Sequence, residues 1–162
     1  MSETWNEILP GLWMGGTPDD EWIDIPAAWP AGVQRDERPF DVVVSLFALS
    51  QPFGWGVQEL RYGFADGDPR LIDMDAVVDV AAWAHEQWQL GRRVLVRCQA
   101  GLNRSGLVTA LVLVLDGWDP ADAVSLIRRC RSSMALCNED FVEWLHANTS
   151  TVVASRTRPQ VA

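Results

Sequence analysis

VLVRCQAGLNRSGLVTALVLVLDGW, the stretch from Val94 to Trp118, decides the fold of this chain. Its first residues belong to the segment RRVLVR, residues 92–97, whose apolar run predicts a buried strand. Residues 105–117 are apolar almost all round, which predicts a central, buried helix. Between the two lies a short loop that begins with Cys98. A buried strand that leads through a short loop into a buried helix is typical of an α/β layer.

The rest of the chain alternates between the strand period and the helix period. Further strands are predicted over three segments, namely Ile8–Gly16 after a Pro-Gly turn, Phe40–Phe47, and the first part of residues 57–69. Further helices are predicted to begin near Asp73, at the N-cap Asp119 and at the cap Asn138. Residues 17–39 contain four prolines and are predicted to be a surface excursion.

This order of elements predicts a single α/β domain. We expect a central, mostly parallel sheet of four or five strands that is flanked by helices. The domain is expected to span residues 1–150, and residues 151–162 are expected to be a flexible C-terminal tail. Ligands of such sheets bind at the carboxyl ends of strands. Cys98 lies at one of these ends.

Composition excludes several classes of function. The net charge of −9 argues against nucleic acid as a partner, because phosphate backbones are bound by clustered positive charge. The longest apolar run, Leu107–Leu115, is less than half of the roughly 20 residues that a membrane helix needs. The N-terminus is polar and acidic, unlike a secretory signal. We therefore expect a cytoplasmic protein with no membrane partner.

Cysteines and histidines are few. The chain has 3 cysteines and 2 histidines, and no two cysteines have the spacing of metal ligands. Free thiols are expected in a cytoplasmic setting, with Cys130 and Cys137 serving as packing residues. No metal and no cofactor is predicted.

The loop CQAGLNRS, residues 98–105, has the properties of an anion site. Backbone N–H groups at the N-terminus of a buried helix lack partners, and the helix dipole favours negative charge there. Gly101 lets the chain curl, and the planar guanidinium of Arg104 can bind two oxygens of a tetrahedral anion. The predicted phosphate-binding residues are Gln99, Ala100, Gly101, Leu102, Asn103 and Arg104.

The same positive potential acts on the thiol of Cys98. A cysteine at a helix N-terminus, with Arg97 and Arg104 beside it, is expected to be largely a thiolate near neutral pH. A thiolate that touches a bound phosphate is a nucleophile. The alternative, in which Cys98 is only a small buried residue, fits the surrounding loop poorly.

CQAGLNRS matches the Cys-x5-Arg-Ser/Thr signature loop of the protein tyrosine phosphatase superfamily. The layout of nearly the whole chain resembles the small dual-specificity phosphatases. EILPGLWMGG resembles their opening strand, FDVVVSL their next buried strand, YGFADGD their general-acid loop, and RRCRSSMALCNEDFVEWL their closing helices. Cys-x5-Arg alone is a weak signal, but Gly101, Ser105, the flanking elements and the upstream acid make it a strong one.

The resemblance implies metal-independent hydrolysis of phosphomonoesters through a cysteinyl-phosphate intermediate. Cys98 would attack phosphorus, and Arg104 with the loop N–H groups would hold the equatorial oxygens. Asp66 would protonate the leaving oxygen and then activate water, and Ser105 would stabilise the departing thiolate. The implied substrate is a phosphorylated protein or peptide, with phosphotyrosine first and phosphoserine and phosphothreonine as further candidates. We expect a monomer.

Two of these roles have alternatives. Asp68 lies in the same loop as Asp66, but Asp66 precedes Cys98 by 32 residues, which is the usual separation in this family. Ser105 has a structural alternative, in which its hydroxyl bonds only the helix backbone.

One position departs from the family pattern. The residue before the nucleophile is usually His, and here it is Arg97, which keeps a cation but not the geometry of an imidazole. A non-catalytic module that binds phosphorylated partners, a pseudophosphatase, is therefore the alternative function. A rhodanese-type sulfurtransferase is weaker, because Asp66 and Ser105 would have no role in it.

Uncharged loop side chains make a phosphoinositide substrate less favoured, because lipid phosphatases tend to carry lysines there. The acidic surface disfavours an RNA substrate. A short basic patch, Arg128, Arg129 and Arg131, is expected to be a solvated helix end.

Overall fold

The structure is a computed structural model that describes residues 4–17, 39–54 and 56–157. The predicted surface excursion at residues 17–39 lies, apart from its ends, outside the described residues. The strands are β1 (Trp5–Leu9), β2 (Leu12–Gly15), β3 (Val42–Ser45), β4 (Gln58–Arg61) and β5 (Val94–Arg97). A 3-10 turn at Pro69–Leu71 precedes the helices α1 (Met74–Gln89), α2 (Arg104–Leu115), α3 (Pro120–Cys130) and α4 (Glu139–Thr157).

The five strands form one sheet in the order β1-β2-β5-β3-β4. Only the β1–β2 pair is antiparallel, and the other three pairs are parallel. This confirms the predicted α/β fold with a mostly parallel sheet. The predicted strand at Ile8–Gly16 is instead part of a hairpin, because Gly11 adopts a φ of +82° and turns the chain between β1 and β2.

The central strand β5 divides two apolar clusters. Val94 and Val96 belong to the larger cluster on the helical side of the sheet. Leu95 belongs to a smaller cluster on the other side, which Phe40, Trp5, Trp13 and Phe53 help to cover. Alternate residues of a strand point to opposite faces, so this pattern assigns a face to every residue of β5.

Helix α2 lies at the centre of the helical layer, as its all-round apolar sequence predicts. Residues 105–114 are buried, and the helix packs against β5, α1, α3 and α4. Gly117 has a φ of +102° just beyond the last turn, a conformation in which helices often end. The predicted cap of α3 is confirmed, since Asp119 accepts from Ala121 N, and Asp73 caps α1 by accepting from Ala76 N.

The predicted flexible tail is wrong for residues 151–157, because α4 continues to Thr157. Val152 is buried in the larger cluster, and Arg156 pairs with Asp79 of α1. The stretch before Val152 is polar, so the sequence shows no clear helical periodicity there. A few apolar residues are nevertheless enough to pack the helix against the core. Residues 158–162 lie outside the described part of the chain. Among the described helices, none has the length and hydropathy of a membrane span.

Candidate active site

Cys98 follows β5 directly, at the carboxyl end of the central strand. Its side chain is 2% exposed, so it lies at the bottom of the site rather than on the surface. The Gly101 N–H donates to the sulfur over 3.3 Å, and Ser105 Oγ lies 3.3 Å from the same sulfur. An inward amide and a hydroxyl therefore both face Sγ. These are donors that stabilise a thiolate.

The loop after Cys98 is pressed against the end of β2. Gly101 has a φ of +71°, and a Cβ there would lie 2.4 Å from the backbone of Gly15 and Gly16. A Cβ on Gly16 would lie 2.7 Å from the carbonyl oxygen of Gln99. Thr17 adds two bonds, from its amide to the Gln99 carbonyl and from its hydroxyl to the Cys98 carbonyl. The curl predicted at Gly101 is present, and the glycine pair of β2 makes room for it.

Arg104 is the first residue of α2. Its Nη1 donates to the Phe64 carbonyl oxygen over 3.2 Å, and its guanidinium carbon lies 5.4 Å from the centre of the Phe47 ring. Its Nε is buried and has no hydrogen-bond partner in the described structure. A buried donor without a partner costs about 1–3 kcal/mol, which a bound oxyanion would recover.

Asp66 is brought to the signature loop, whereas Asp68 is not. Asp66 Oδ2 accepts from Asn103 Nδ2 over 2.9 Å, and its side chain is exposed. Asp68 instead caps the 3-10 turn, where the amide and guanidinium of Arg70 bind it. The hydrogen bonds from Arg70 lower the pKa of Asp68, so less of this carboxyl group holds a proton near neutral pH. The geometry favours Asp66 over Asp68 as the acid.

Arg97 does not contribute to the thiol site in the way its position suggests. Its side chain is buried on the other face of the sheet, where Nε donates to Ser45 Oγ and Nη2 to the Gln51 carbonyl. Its Nη2 also lies 3.2 Å from Glu59 Oε1. The expectation that Arg97 stands beside the thiol is therefore wrong, because residues 97 and 98 alternate across the strand.

Arg131 contacts the signature loop, and the sequence did not predict this contact. Its Nε donates to the Gly101 carbonyl oxygen over 3.1 Å, and its Nη1 donates to Asn6 Oδ1 over 2.7 Å. Burial lowers the pKa of Arg131, and interaction with the charge of Cys98 opposes this effect. The expected solvated patch is wrong at Arg131, which is half-buried. Arg128 is exposed, although it also donates to two backbone carbonyls of the α3–α4 connection. Basic residues at a helix end give no sequence signal of such contacts.

The remaining predicted phosphate-binding residues differ in their exposure. Gln99 and Ala100 are exposed, and Leu102 and Asn103 are half-buried.

The three cysteines are free, as expected, but Cys137 is exposed rather than packed and its sulfur lies 3.5 Å from Asn103 Oδ1. Within residues 4–17, 39–54 and 56–157, no group of His, Cys, Asp and Glu side chains has the arrangement of a metal site.

No protein-family model and no curated protein sequence matches the chain. Solved structures do match it over almost their whole length. A mouse protein named as a dual specificity phosphatase, complexed with zinc tungstate, has a TM-score of 0.74 and 21% identity, covering 99% of this chain and 98% of that chain. Human DUSP28 has a TM-score of 0.71 and 23% identity, covering 93% and 99%.

A third match is the human tyrosine phosphatase-like serine/threonine/tyrosine-interacting protein. Its TM-score is 0.70 at 20% identity, and the match covers 91% of this chain and 96% of that chain. The resemblance stated from the signature loop is thus confirmed for the architecture as a whole. The chain has the fold of the small dual-specificity phosphatases.

Proposed function

We propose that this protein is a metal-independent protein phosphatase that acts through a cysteinyl-phosphate intermediate. The observation that carries the proposal is the sulfur of Cys98, which faces the Gly101 N–H and the Ser105 hydroxyl at the base of the signature loop. The buried Nε of Arg104, which lacks a partner in the described structure, supports an oxyanion in the same loop.

In the first step, the phosphate dianion binds between the loop amides and Arg104. The thiolate of Cys98 attacks phosphorus, so that an S–P bond forms while the P–O bond to the leaving group breaks. Asp66 gives its proton to the departing oxygen, which leaves as an alcohol or phenol. The loop donors stabilise the charge on the equatorial oxygens most strongly in the transition state.

In the second step, Asp66 is a carboxylate and accepts a proton from an attacking water. The new P–O bond forms as the S–P bond breaks, which releases inorganic phosphate and restores the thiolate. Ser105 Oγ lies within hydrogen-bonding distance of the departing sulfur, 3.3 Å away. Its hydroxyl therefore stabilises the developing negative charge of Cys98.

The preferred substrate class is a phosphorylated protein, with phosphotyrosine first and phosphoserine and phosphothreonine as further candidates. The exposed Gln99 and Ala100 and the half-buried Leu102 carry no charge, so the loop has no cation for a second phosphate. A monomeric, cytoplasmic enzyme without a cofactor completes this proposal.

Turnover of p-nitrophenyl phosphate in the presence of EDTA tests the chemistry. We expect release of p-nitrophenol by the native protein and none by Cys98→Ser. Asp66→Asn should reduce turnover of phenyl phosphate, a poor leaving group, about 100-fold. Asp68→Asn is the matched control and should retain most activity. If Asp68→Asn is the more damaged variant, the acid is assigned wrongly.

A pseudophosphatase is the second candidate, and the position of Arg97 favours it. The chain lacks the family's histidine, and the arginine in its place is engaged by Glu59 away from the thiol. One of the fold relatives is itself named as tyrosine phosphatase-like and interacting. Binding of phosphotyrosine peptides without any turnover that depends on Cys98 would favour this function over hydrolysis.

A further inference from the structure

We propose that Asn138 is a positioning residue that holds Asp66 in its proton-donating orientation before a substrate binds. The inference rests on the proposed function, because it assigns a partner to the proposed acid. Asn138 Nδ2 donates to Asp66 Oδ1 over 2.9 Å and lies 3.1 Å from the Gly67 carbonyl oxygen. From sequence, this residue is predicted only as a helix cap.

The two oxygens of Asp66 are held by two different carboxamides. Asn138 binds Oδ1, and Asn103 of the signature loop binds Oδ2 over 2.9 Å. The two asparagines also bind each other, because the Asn138 N–H donates to Asn103 Oδ1 over 3.0 Å. A closed ring of hydrogen bonds therefore joins the acid loop, the signature loop and the start of α4.

This ring gives the carboxylate one orientation although its side chain is exposed. An exposed aspartate is otherwise free to rotate, and restricting such a side chain has an entropic cost that the two bonds offset. Oδ2 is the oxygen that faces Asn103 of the signature loop. Asn138 holds the other oxygen, so it orients Asp66 with Oδ2 towards the loop that would bind the phosphate.

Asn138 links the side chain of Asp66 to the helical layer. Its backbone carbonyl accepts from the N–H groups of Phe141 and Val142 in the first turn of α4, and Phe141 is buried in the larger apolar cluster. The side chain of Asn138 therefore extends from a rigid helix end rather than from a loose loop. A positioning residue on a rigid element fixes geometry more tightly than one on a loop.

The dependence of rate on the leaving group tests this role. In Asn138→Ala and Asn138→Ser, we expect kcat/KM for phenyl phosphate to fall about tenfold further than kcat/KM for p-nitrophenyl phosphate. A poor leaving group needs the proton in the transition state, whereas a good one needs it far less. Serine is favoured at helix starts, is too short to replace the amide donor and adds no charge beside Asp66, so Asn138→Ser reports on the donor even if Asn138→Ala is unstable.

Asn148→Ala is the matched control, because Asn148 is an asparagine within α4 whose amide donates to the Trp144 carbonyl and not to Asp66. It should leave the ratio of the two rates unchanged. An equal loss on both substrates in the Asn138 variants, or no loss at all, would overturn the inference. In an Asp66→Asn background, Asn138→Ala should leave the ratio unchanged, and a further change would also overturn it.

Different results would disprove the proposed function and the role of Asn138. Turnover of p-nitrophenyl phosphate that survives Cys98→Ser would contradict the cysteinyl-phosphate mechanism. An unaltered rate ratio in the Asn138 variants, with turnover still dependent on Cys98, would contradict only the role of Asn138.

Discussion

Arg97 and Cys98 are consecutive residues whose side chains lie on opposite faces of the sheet. Cys98 is part of the larger apolar cluster, whereas the guanidinium of Arg97 lies 5.2 Å from the centre of the Phe53 ring, beside the smaller cluster. The Arg97 guanidinium forms an ion pair with Glu59, and it also donates a hydrogen bond to a carbonyl of the loop after β3. Arg97 thus supports the sheet and its connecting loop, not the side chain of Cys98.

Removing one partner of the Arg97–Glu59 pair is expected to destabilise the fold. Arg97→Met removes a positive charge that partly neutralises the mostly buried carboxylate of Glu59. Loss of one partner of a buried ion pair lowers the free energy of unfolding by about 3–5 kcal/mol. The double variant Arg97→Met/Glu59→Gln should recover part of that loss. Chemical denaturation of the four proteins measures both effects. Full additivity of the two single changes would show that the pair is not coupled.

The pH dependence of stability should report on Glu59. Burial raises the pKa of Glu59, but bonds from Phe53 N–H and Ser45, with the charges of Arg97 and Arg61, outweigh it and lower the pKa below its ordinary value of 4.5. A carboxylate with a lowered pKa contributes stability above its unfolded pKa. That contribution is lost as the pH falls through the folded pKa.

Unfolding free energies of the native protein and of Glu59→Gln, measured from pH 7 downwards, check this expectation. The difference between them should be largest near neutral pH and should shrink below pH 4.5. A difference that grows on acidification would contradict a lowered pKa.

Gly101→Ala should abolish turnover by deforming the signature loop. A Cβ at this position would lie 2.4 Å from backbone atoms of Gly15 and Gly16, which cannot move without disturbing β2. A displacement of about 1 Å in a catalytic loop costs about 100-fold in rate. Gly91→Ala is the control, since Gly91 also has a positive φ, +77°, but faces open space. Equal losses in the two variants would show that backbone strain alone is responsible.

Arg131→Met should weaken oxyanion binding and slow alkylation of Cys98. The change removes the bond to the Gly101 carbonyl and a cation that interacts electrostatically with Cys98. A lost charge-assisted hydrogen bond of about 1.5–3 kcal/mol corresponds to at least a tenfold weaker inhibition by tungstate. Arg129→Met removes the same charge from an exposed position of α3 and should have little effect. Inhibition constants and rates with iodoacetamide measure both variants.

Local patterns in the sequence predicted most of the elements and the loop that joins β5 to α2. The cap at Asp119, the apolar run of α2 and the Cys-to-Arg spacing each involve residues that are close in the chain. The hairpin at Gly11 and the extension of α4 were missed. A single glycine reverses the chain in the first case, and polar residues on the exposed side conceal the period in the second.

The sequence by itself determined the candidates for the nucleophile, the arginine and the acid, because an anion loop at a helix N-terminus depends on a few consecutive residues. Only the tertiary structure showed the different partners of Asp66 and Asp68, the face that Arg97 occupies and the contacts of Arg131 and Asn138. Asn138 and Asp66 are 72 residues apart. Their contact exists because the larger apolar cluster packs α4 beside the carboxyl end of the sheet, which is a property of the packed core and not of any one segment.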